Sequence, residues 1–305
     1  NILKGESPYV SYAENAFLTT IDLQIQKTAE KILKNCEYNS AAVVLETKTG
    51  NILAMASTPT YSPQQIEKIL GSNSGCLINK ALQGYPPGSV FKIVTAAAAL
   101  EAGADTEELK FDCSGEERFG DIKIKCTAAH GELNLTEAFA KSCNCAFIQL
   151  AQNTGYEAIK NMAQKMGMGT KALGFKEESA GQITTEQEAA GAGIANMAIG
   201  QGTLLATPLQ AAQITNIIAN GGIDTGIHII SEKQKSRRVV SEKTAGEITE
   251  MMKAVTEYGT GAGSSTPMCA GKTGSAEAGD MIHGWFTGFF PYDEPEYTIT
   301  VFCED

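Results

Sequence analysis

The sequence predicts an α+β fold: one sheet assembled from both ends of the chain, with a helical lobe inserted between them. Three observations lead there. AAVVLE (41–46) and NILAMAS (51–57) read as strands, and the turn TKTG between them is a hairpin signal. The C-terminal text is strand-rich again in MCAGKTGSAE, HGWFTGFF and YTITVFC. Between the two lies a long stretch that is mostly helical and loop-like.

The elements follow in order. Residues 1–19 read as a linker, and Thr20 as the cap of a helix over IDLQIQKTAEKIL, whose apolar residues fall at helical spacing. After the hairpin, Pro63 opens a short helix to Leu70. In YPPGSVFKIVTAAAALE (85–101), two prolines and a glycine stop the chain, and an almost wholly apolar helix follows to about Gly103. A small hairpin is expected around FGDIKIKC. Thr207-Pro208 pairs a cap with proline at the first helical position, predicting a helix to about Gly221, and another covers 242–258. No repeats or low-complexity tracts interrupt this order.

The chain has 305 residues, 43% hydrophobic and 19% charged, enough to bury a substantial core. Its 24 basic and 35 acidic side chains give a net charge of −11 without any basic run, which argues against a nucleic-acid partner and a basic membrane-surface patch. No uninterrupted apolar run approaches the roughly 18 residues that mark a membrane span. A start at Asn1 leads to the expectation that any targeting segment or anchor has been removed or is not part of this chain. Eight cysteines are too few for a disulfide scaffold, and no C-x-x-C is present to suggest zinc. Cys113 and Cys126 bracket the small hairpin and could pair in an oxidising compartment; buried free thiols are the other reading of the set.

Ser89 and Lys92 are three apart, so a helix beginning near Ser89 puts both on one face. Phe91, Ile93 and Val94 surround Lys92, and burial at a helix start favours the neutral amine. A neutral lysine beside a serine hydroxyl is a base beside a nucleophile. Alone this is weak, since a serine cap and an outward lysine explain S-x-x-K equally well. Two further elements strengthen it: Ser142-Cys143-Asn144, and Lys272-Thr273-Gly274 within GKTGSAE. An earlier triplet, Lys48-Thr49-Gly50, precedes Ser89 and is explained by the hairpin turn. In this reading Ser142 relays a proton, Asn144 orients a substrate amide, and Lys272 with Thr273 holds a carboxylate. Gly274 and Ser275 let a substrate lie along a strand edge, and the N–H groups of Ser89 and Ser275 form an oxyanion hole.

YPPGSVFK, KSCN, GKTGSAE and HGWFTGF resemble the penicillin-binding proteins, the D,D-transpeptidases of peptidoglycan synthesis. FLTTIDLQIQ, VVLETKTGNILAMASTP and IGQG followed by ATPLQAA resemble that family's flanking segments, so the likeness runs from about Phe17 to Cys303. It is nearest to class B enzymes, since about 20 residues before the first helix leave no room for a glycosyltransferase. The resemblance implies a five-stranded antiparallel sheet flanked by helices, with a sheet lobe of about 20–70 and 222–305, a helical lobe of about 71–221, and the active site between them. It implies Ser89 as the acylated nucleophile with Lys92 its base, Ser142 and Lys272 catalytic, and Asn144, Thr273, Gly274 and Ser275 in substrate binding, without metal or cofactor. A short break is implied near Ser142, where propensity alone runs one helix through. The implied partners are stem peptides ending in D-Ala-D-Ala, β-lactam antibiotics, and membrane proteins of cell-wall synthesis bound through regions outside this chain. The implied location is the extracytoplasmic face of a bacterial membrane. A C-terminal helix, a membrane anchor and an N-terminal pedestal belong to the same pattern and are not in this sequence.

Other readings fit less well. A P-loop would need glycine where Thr266 stands, and no G-x-S-x-G nucleophile elbow is present. His130, His228 and His283 read as ordinary residues, with His283 at most lining the cleft. A β-lactam sensor domain or a serine β-lactamase shares the motifs and stands as the alternative. Against the β-lactamase, Glu132 precedes the S-x-N element instead of following it.

Overall fold

Six consecutive residues of β1 (Asn39–Glu46), from Ser40 to Leu45, are buried. A strand hidden on both faces belongs inside a sheet, and its alternate side chains show what covers each side. Ala41, Val43 and Leu45 pack in one cluster with Leu209, Ala211 and Ala212 of helix α9 (Pro208–Ala219). Ala42 packs with Leu33 of α1 (Leu23–Lys34) on the opposite face. The computed structural model describes residues 18–304 except 63, 65, 72, 73, 107, 120, 121, 231–234, 264 and 265.

The main sheet has five antiparallel strands in the order β2-β1-β11-β10-β9, where β2 is Ile52–Ser57, β9 Ala270–Ala278, β10 Met281–Phe290 and β11 Tyr297–Glu304. The expected five-stranded antiparallel sheet flanked by helices is therefore present, built from the first two strands and the last three. Three short ladders stand apart from it: β3 (Phe111–Cys113) with β6 (Gly131–Leu133), β4 (Glu116–Phe119) with β5 (Ile122–Lys125), and β7 (Ile223–Asp224) with β8 (Arg237–Arg238). The β4–β5 ladder is the hairpin expected around FGDIKIKC.

The remaining helices are α2 (Ile66–Ile69), α3 (Lys92–Glu101), α4 (Leu135–Ala140), α5 (Asn144–Thr154), α6 (Tyr156–Lys165), α7 (Glu186–Ala189), α8 (Gly193–Ala198) and α10 (Glu242–Glu257). At α3, every residue from Lys92 to Leu100 is buried, so this helix is the axis of the helical core. Phe147 and Ile148 of α5 and Ile248 and Met251 of α10 pack in the same cluster. Each such side chain contributes about 1.5–3 kcal/mol by leaving water.

Thr207 caps α9 as expected. Its hydroxyl accepts from Gln210 N at 3.0 Å while Gln210 Oε1 accepts from Thr207 N, also at 3.0 Å, and Pro208 is the first helical residue. Thr20 does not cap α1. Its hydroxyl donates to Ile52 O at 2.8 Å, and Asp22 takes the cap, its carboxylate accepting from Gln24 N and Ile25 N. A carboxylate that reaches two orphan amides displaces a hydroxyl better used by the adjacent strand. Pro63, expected to open α2, and residues 1–17 of the expected linker lie outside the described residues. Among the described residues no helix is long and apolar enough to cross a membrane.

Candidate active site

Ser89 sits in a single 3₁₀ turn, Gly88–Phe91, that runs directly into α3 at Lys92. The turn lies against β9. Gly88 has φ +53°, and a Cβ there would come within 2.5 Å of Ser275 O, so only glycine allows this approach. From the other side Gly88 N donates to Gly200 O at 2.9 Å, and a Cβ on Gly200 would meet Gly88 O at 1.9 Å. Trp285 Nε1 of β10 donates to Pro86 O at 3.0 Å, tying the turn to the sheet.

The second element occupies the break between α4 and α5. Ser142 takes a left-handed conformation, φ 54°, which costs on the order of 1 kcal/mol for a residue other than glycine. The break closes α4 through Ser142 N to Phe139 O (3.1 Å) and Cys143 N to Ala138 O (2.8 Å), and opens α5 with Cys143 as its cap. The expected interruption is therefore real. Its result is that Ser142 and Asn144 both face Lys92.

Lys92 Nζ donates to Ser142 O at 2.6 Å, to Asn144 Oδ1 at 2.8 Å and to Ser142 Oγ at 3.3 Å. Lys272 Nζ, from β9, donates to the same Ser142 Oγ at 3.0 Å and to Thr273 O at 2.9 Å. Both amines are fully buried, 5.3 Å from the Phe147 ring centroid and 5.6 Å from that of Phe139 respectively. Burial lowers the pKa of Lys92 from 10.5 to about 7, against an opposing pull from the thiols of Cys143, Cys126 and Cys145. A shift of this size corresponds to about 5 kcal/mol in favour of the neutral amine. Lys272 is held well below the usual lysine range, by burial first and then by the charge of Lys92. Two buried ammonium groups sharing one hydroxyl do not coexist easily, so one gives up its proton.

Ser89, Ser142, Asn144, Thr273, Gly274 and Ser275 line one cleft of about 870 Å³, with Lys92 and Lys272 beneath it. All eight residues singled out in the sequence are thus brought together. One contact differs from expectation. Among the described residues Lys92 makes no hydrogen bond to Ser89; its amine turns to Ser142 and Asn144, because the break at Ser142 presents acceptors that helix periodicity does not reveal. Among the described residues β9 ends the sheet and pairs with no strand on its outer edge, which leaves that edge able to take an extended peptide. Lys48 is exposed in the β1–β2 turn, away from the cleft. His283 is not a lining residue: it is buried against Tyr85 and Phe302, its Nδ1 without a hydrogen-bond partner among the described residues.

Sequence reasoning missed Asn196, Gln201 and Thr260, which also line the cleft; the Thr260 and Thr273 hydroxyls are hydrogen-bonded. Gly200 and Gln201 carried a signal, the IGQG run, whereas Thr260 lies in a glycine-rich stretch that reads as a plain loop. All eight cysteines are free thiols, but Cys113, Cys126 and Cys143 converge with His130, and of these only Cys126 and His130 stand close in sequence. Four separate elements bring these residues together, which a search for adjacent pairs cannot detect.

Comparison with known proteins adds to this geometry. The sequence pattern described as "Penicillin binding protein transpeptidase domain" matches residues 40–305. The peptidoglycan D,D-transpeptidase PbpA of Mycolicibacterium smegmatis is 33% identical, over 94% of this chain and 67% of its own length. The peptidoglycan D,D-transpeptidase MrdA of Acinetobacter baumannii is 28% identical, over 95% of this chain and 51% of its own length. The structure of penicillin-binding protein A from Mycobacterium tuberculosis as a penicillin G acyl-enzyme complex superimposes with a TM-score of 0.86 at 28% identity, over 94% of this chain and 74% of that one.

Proposed function

The chain belongs to the penicillin-binding protein transpeptidase family, and from that membership we propose that it is a serine D,D-transpeptidase cross-linking peptidoglycan stem peptides and blocked covalently by β-lactams. The observation that carries the residue roles is the Ser142 hydroxyl held between two buried lysines at the floor of a cleft that also exposes Ser89.

A stem peptide ending in D-Ala-D-Ala lies antiparallel to the free edge of β9. Its terminal carboxylate meets Lys272 and Thr273, and the arriving negative charge restores the proton that burial disfavours on Lys272. Asn144 orients the peptide amide. Ser89 Oγ attacks the carbonyl of the penultimate D-alanine and its proton passes to neutral Lys92 Nζ. The N–H groups of Ser89 and Ser275 hold the oxyanion. Collapse of the tetrahedral intermediate breaks the amide bond, and the departing D-alanine amine takes its proton through Ser142, which bridges both lysines. An acceptor amine then attacks the ester, forms the cross-link and returns the proton to Ser89. We place this activity on the extracytoplasmic face of a bacterial membrane, with an anchor and cell-wall synthesis partners supplied by regions outside this chain.

The test is incubation with penicillin followed by intact-protein and peptide mass spectrometry, alongside release of D-alanine from a D-Ala-D-Ala peptide. One adduct on the peptide containing Ser89, absent in Ser89→Ala, is expected. Adduct formation at full rate in Ser89→Ala would remove the assignment.

A further inference from the structure

Beside the second motif lies a cluster that this mechanism does not use. The sulfurs of Cys113, Cys126 and Cys143 and Nδ1 of His130 all lie within 4.8 Å of one another. They come from the end of β3, the residue after β5, the approach to β6, and the break between α4 and α5. His130 Nδ1 is 3.5 Å from Cys113 Sγ and 3.6 Å from Cys126 Sγ, and Cys126 Sγ is 3.7 Å from Cys143 Sγ. A tetrahedral zinc ion, with bonds of about 2.3 Å to sulfur and about 2.0–2.1 Å to nitrogen, sets sulfur–sulfur edges of about 3.8 Å and sulfur–nitrogen edges of about 3.5–3.6 Å. Those three separations match these edges, and the remaining pairs of ligand atoms lie within 4.8 Å of one another. A disulfide would need sulfurs about 2.05 Å apart.

Two of the three sulfurs accept backbone hydrogen bonds. Asn144 N donates to Cys126 Sγ at 3.2 Å and Ala146 N to Cys143 Sγ at 3.5 Å. Backbone donors of this kind take up thiolate charge and fix ligand orientation. Cys113 and Cys143 are buried, while Cys126 reaches the cleft and gives an ion a way in. Three thiols and an imidazole select zinc over magnesium or calcium, which take oxygen ligands.

We infer that Cys113, Cys126, His130 and Cys143 bind one zinc ion in a closed tetrahedral shell that locks the turn carrying Ser142 and Asn144. Zinc enters as the dication, three thiol protons leave to solvent, and no oxidation state changes. Four protein ligands leave no open position, so the ion is structural and takes no part in the reaction. Its influence on the cleft runs through Cys143, which stands between Ser142 and Asn144, and through the Asn144 amide bound to Cys126 sulfur. It also staples the β3–β6 and β4–β5 ladders, which are otherwise too short to hold themselves.

The experiment measures metal in protein purified under reducing conditions, a readout independent of the catalysed reaction. About one zinc per chain is expected by mass spectrometry of the metal. Cobalt(II) loaded into chelated protein should show the thiolate charge-transfer and intense visible bands of a tetrahedral site. Cys113→Ser and His130→Ala should each weaken zinc binding by about tenfold or more. Cys36→Ser, which removes an exposed thiol, should keep full occupancy. Chelated wild type should acylate more slowly with penicillin and recover when zinc is returned. Wild type without stoichiometric zinc, cobalt protein without those bands, equal occupancy in Cys36→Ser and Cys113→Ser, or a Cys126–Cys143 disulfide in place of metal would each overturn the site. Unchanged acylation in the zinc-free protein would overturn its locking role.

Discussion

Lys92 and Lys48 differ in little but surroundings. Lys48 stands in water on a hairpin turn; Lys92 is the first residue of a helix with no exposed side, so its amine has no route to solvent. With a pKa of about 7 the neutral, proton-accepting form dominates above that value. Acid restores the ammonium and removes the base. Penicillin acylation followed by stopped-flow should therefore rise about tenfold per pH unit below about 7 and level off above it. Lys92→Arg should fall by about 10²–10⁴-fold, because arginine does not release its proton; a fully active variant would mean that Lys92 supplies only charge. Lys272→Ala should slow acylation by about 10–100-fold through loss of a charged hydrogen bond, and Lys48→Ala should leave it nearly unchanged. Equal behaviour of the two would discard the carboxylate-anchor role.

Among the elements, those with local grammar were legible and those made by tertiary contact were not. The Thr207-Pro208 cap is written in adjacent residues, and its loss in Thr207→Ala should lower stability by about 1–2 kcal/mol in urea denaturation. An unchanged midpoint would show that packing alone holds α9. The break at Ser142 has no such grammar. AFAKSCNCAFIQLA has helix formers on both sides, so its weak Ser-Cys-Asn-Cys run does not by itself mark a stop, and the interruption is held by Lys92, 50 residues away, donating to Ser142 O. Only the family likeness anticipated it. The serine turn is similar: PPGS announces a stop but says nothing of β9 lying against Gly88. Gly88→Ala should cost about 1–3 kcal/mol and slow acylation, since either the turn or the strand must give way. Full acylation in that variant would show that the contact yields freely.

For the whole molecule the decisive measurement is a lifetime. Deacylation by water needs a base near the ester. Glu132 pairs with Asp112 across β3 and β6 and does not line the cleft, and the one carboxylate lining it among the described residues, Glu277, is exposed. The penicilloyl adduct should persist for tens of minutes or more, a barrier above roughly 21 kcal/mol, when followed by intact mass after drug removal. Loss within seconds with catalytic hydrolysis would point to a β-lactamase; persistence without D-alanine release from peptide would point to a sensor.

The sheet order carries a further consequence, for biosynthesis. β11 lies between β1 and β10, with Asn39 opposite Glu304, so the first described strand of the sheet pairs with the last. While the ribosome is still making the helical core, the β1–β2 hairpin holds an unsatisfied edge of apolar strand, the kind of surface that invites aggregation. Local contacts in the helices can form first, and closing the sheet must wait for residues 297–304. A nascent chain stalled just before Tyr297 should therefore bind holdase chaperones through the β1–β2 hairpin and be cut there by protease, whereas release of the finished β11 should protect the hairpin and β11 at once.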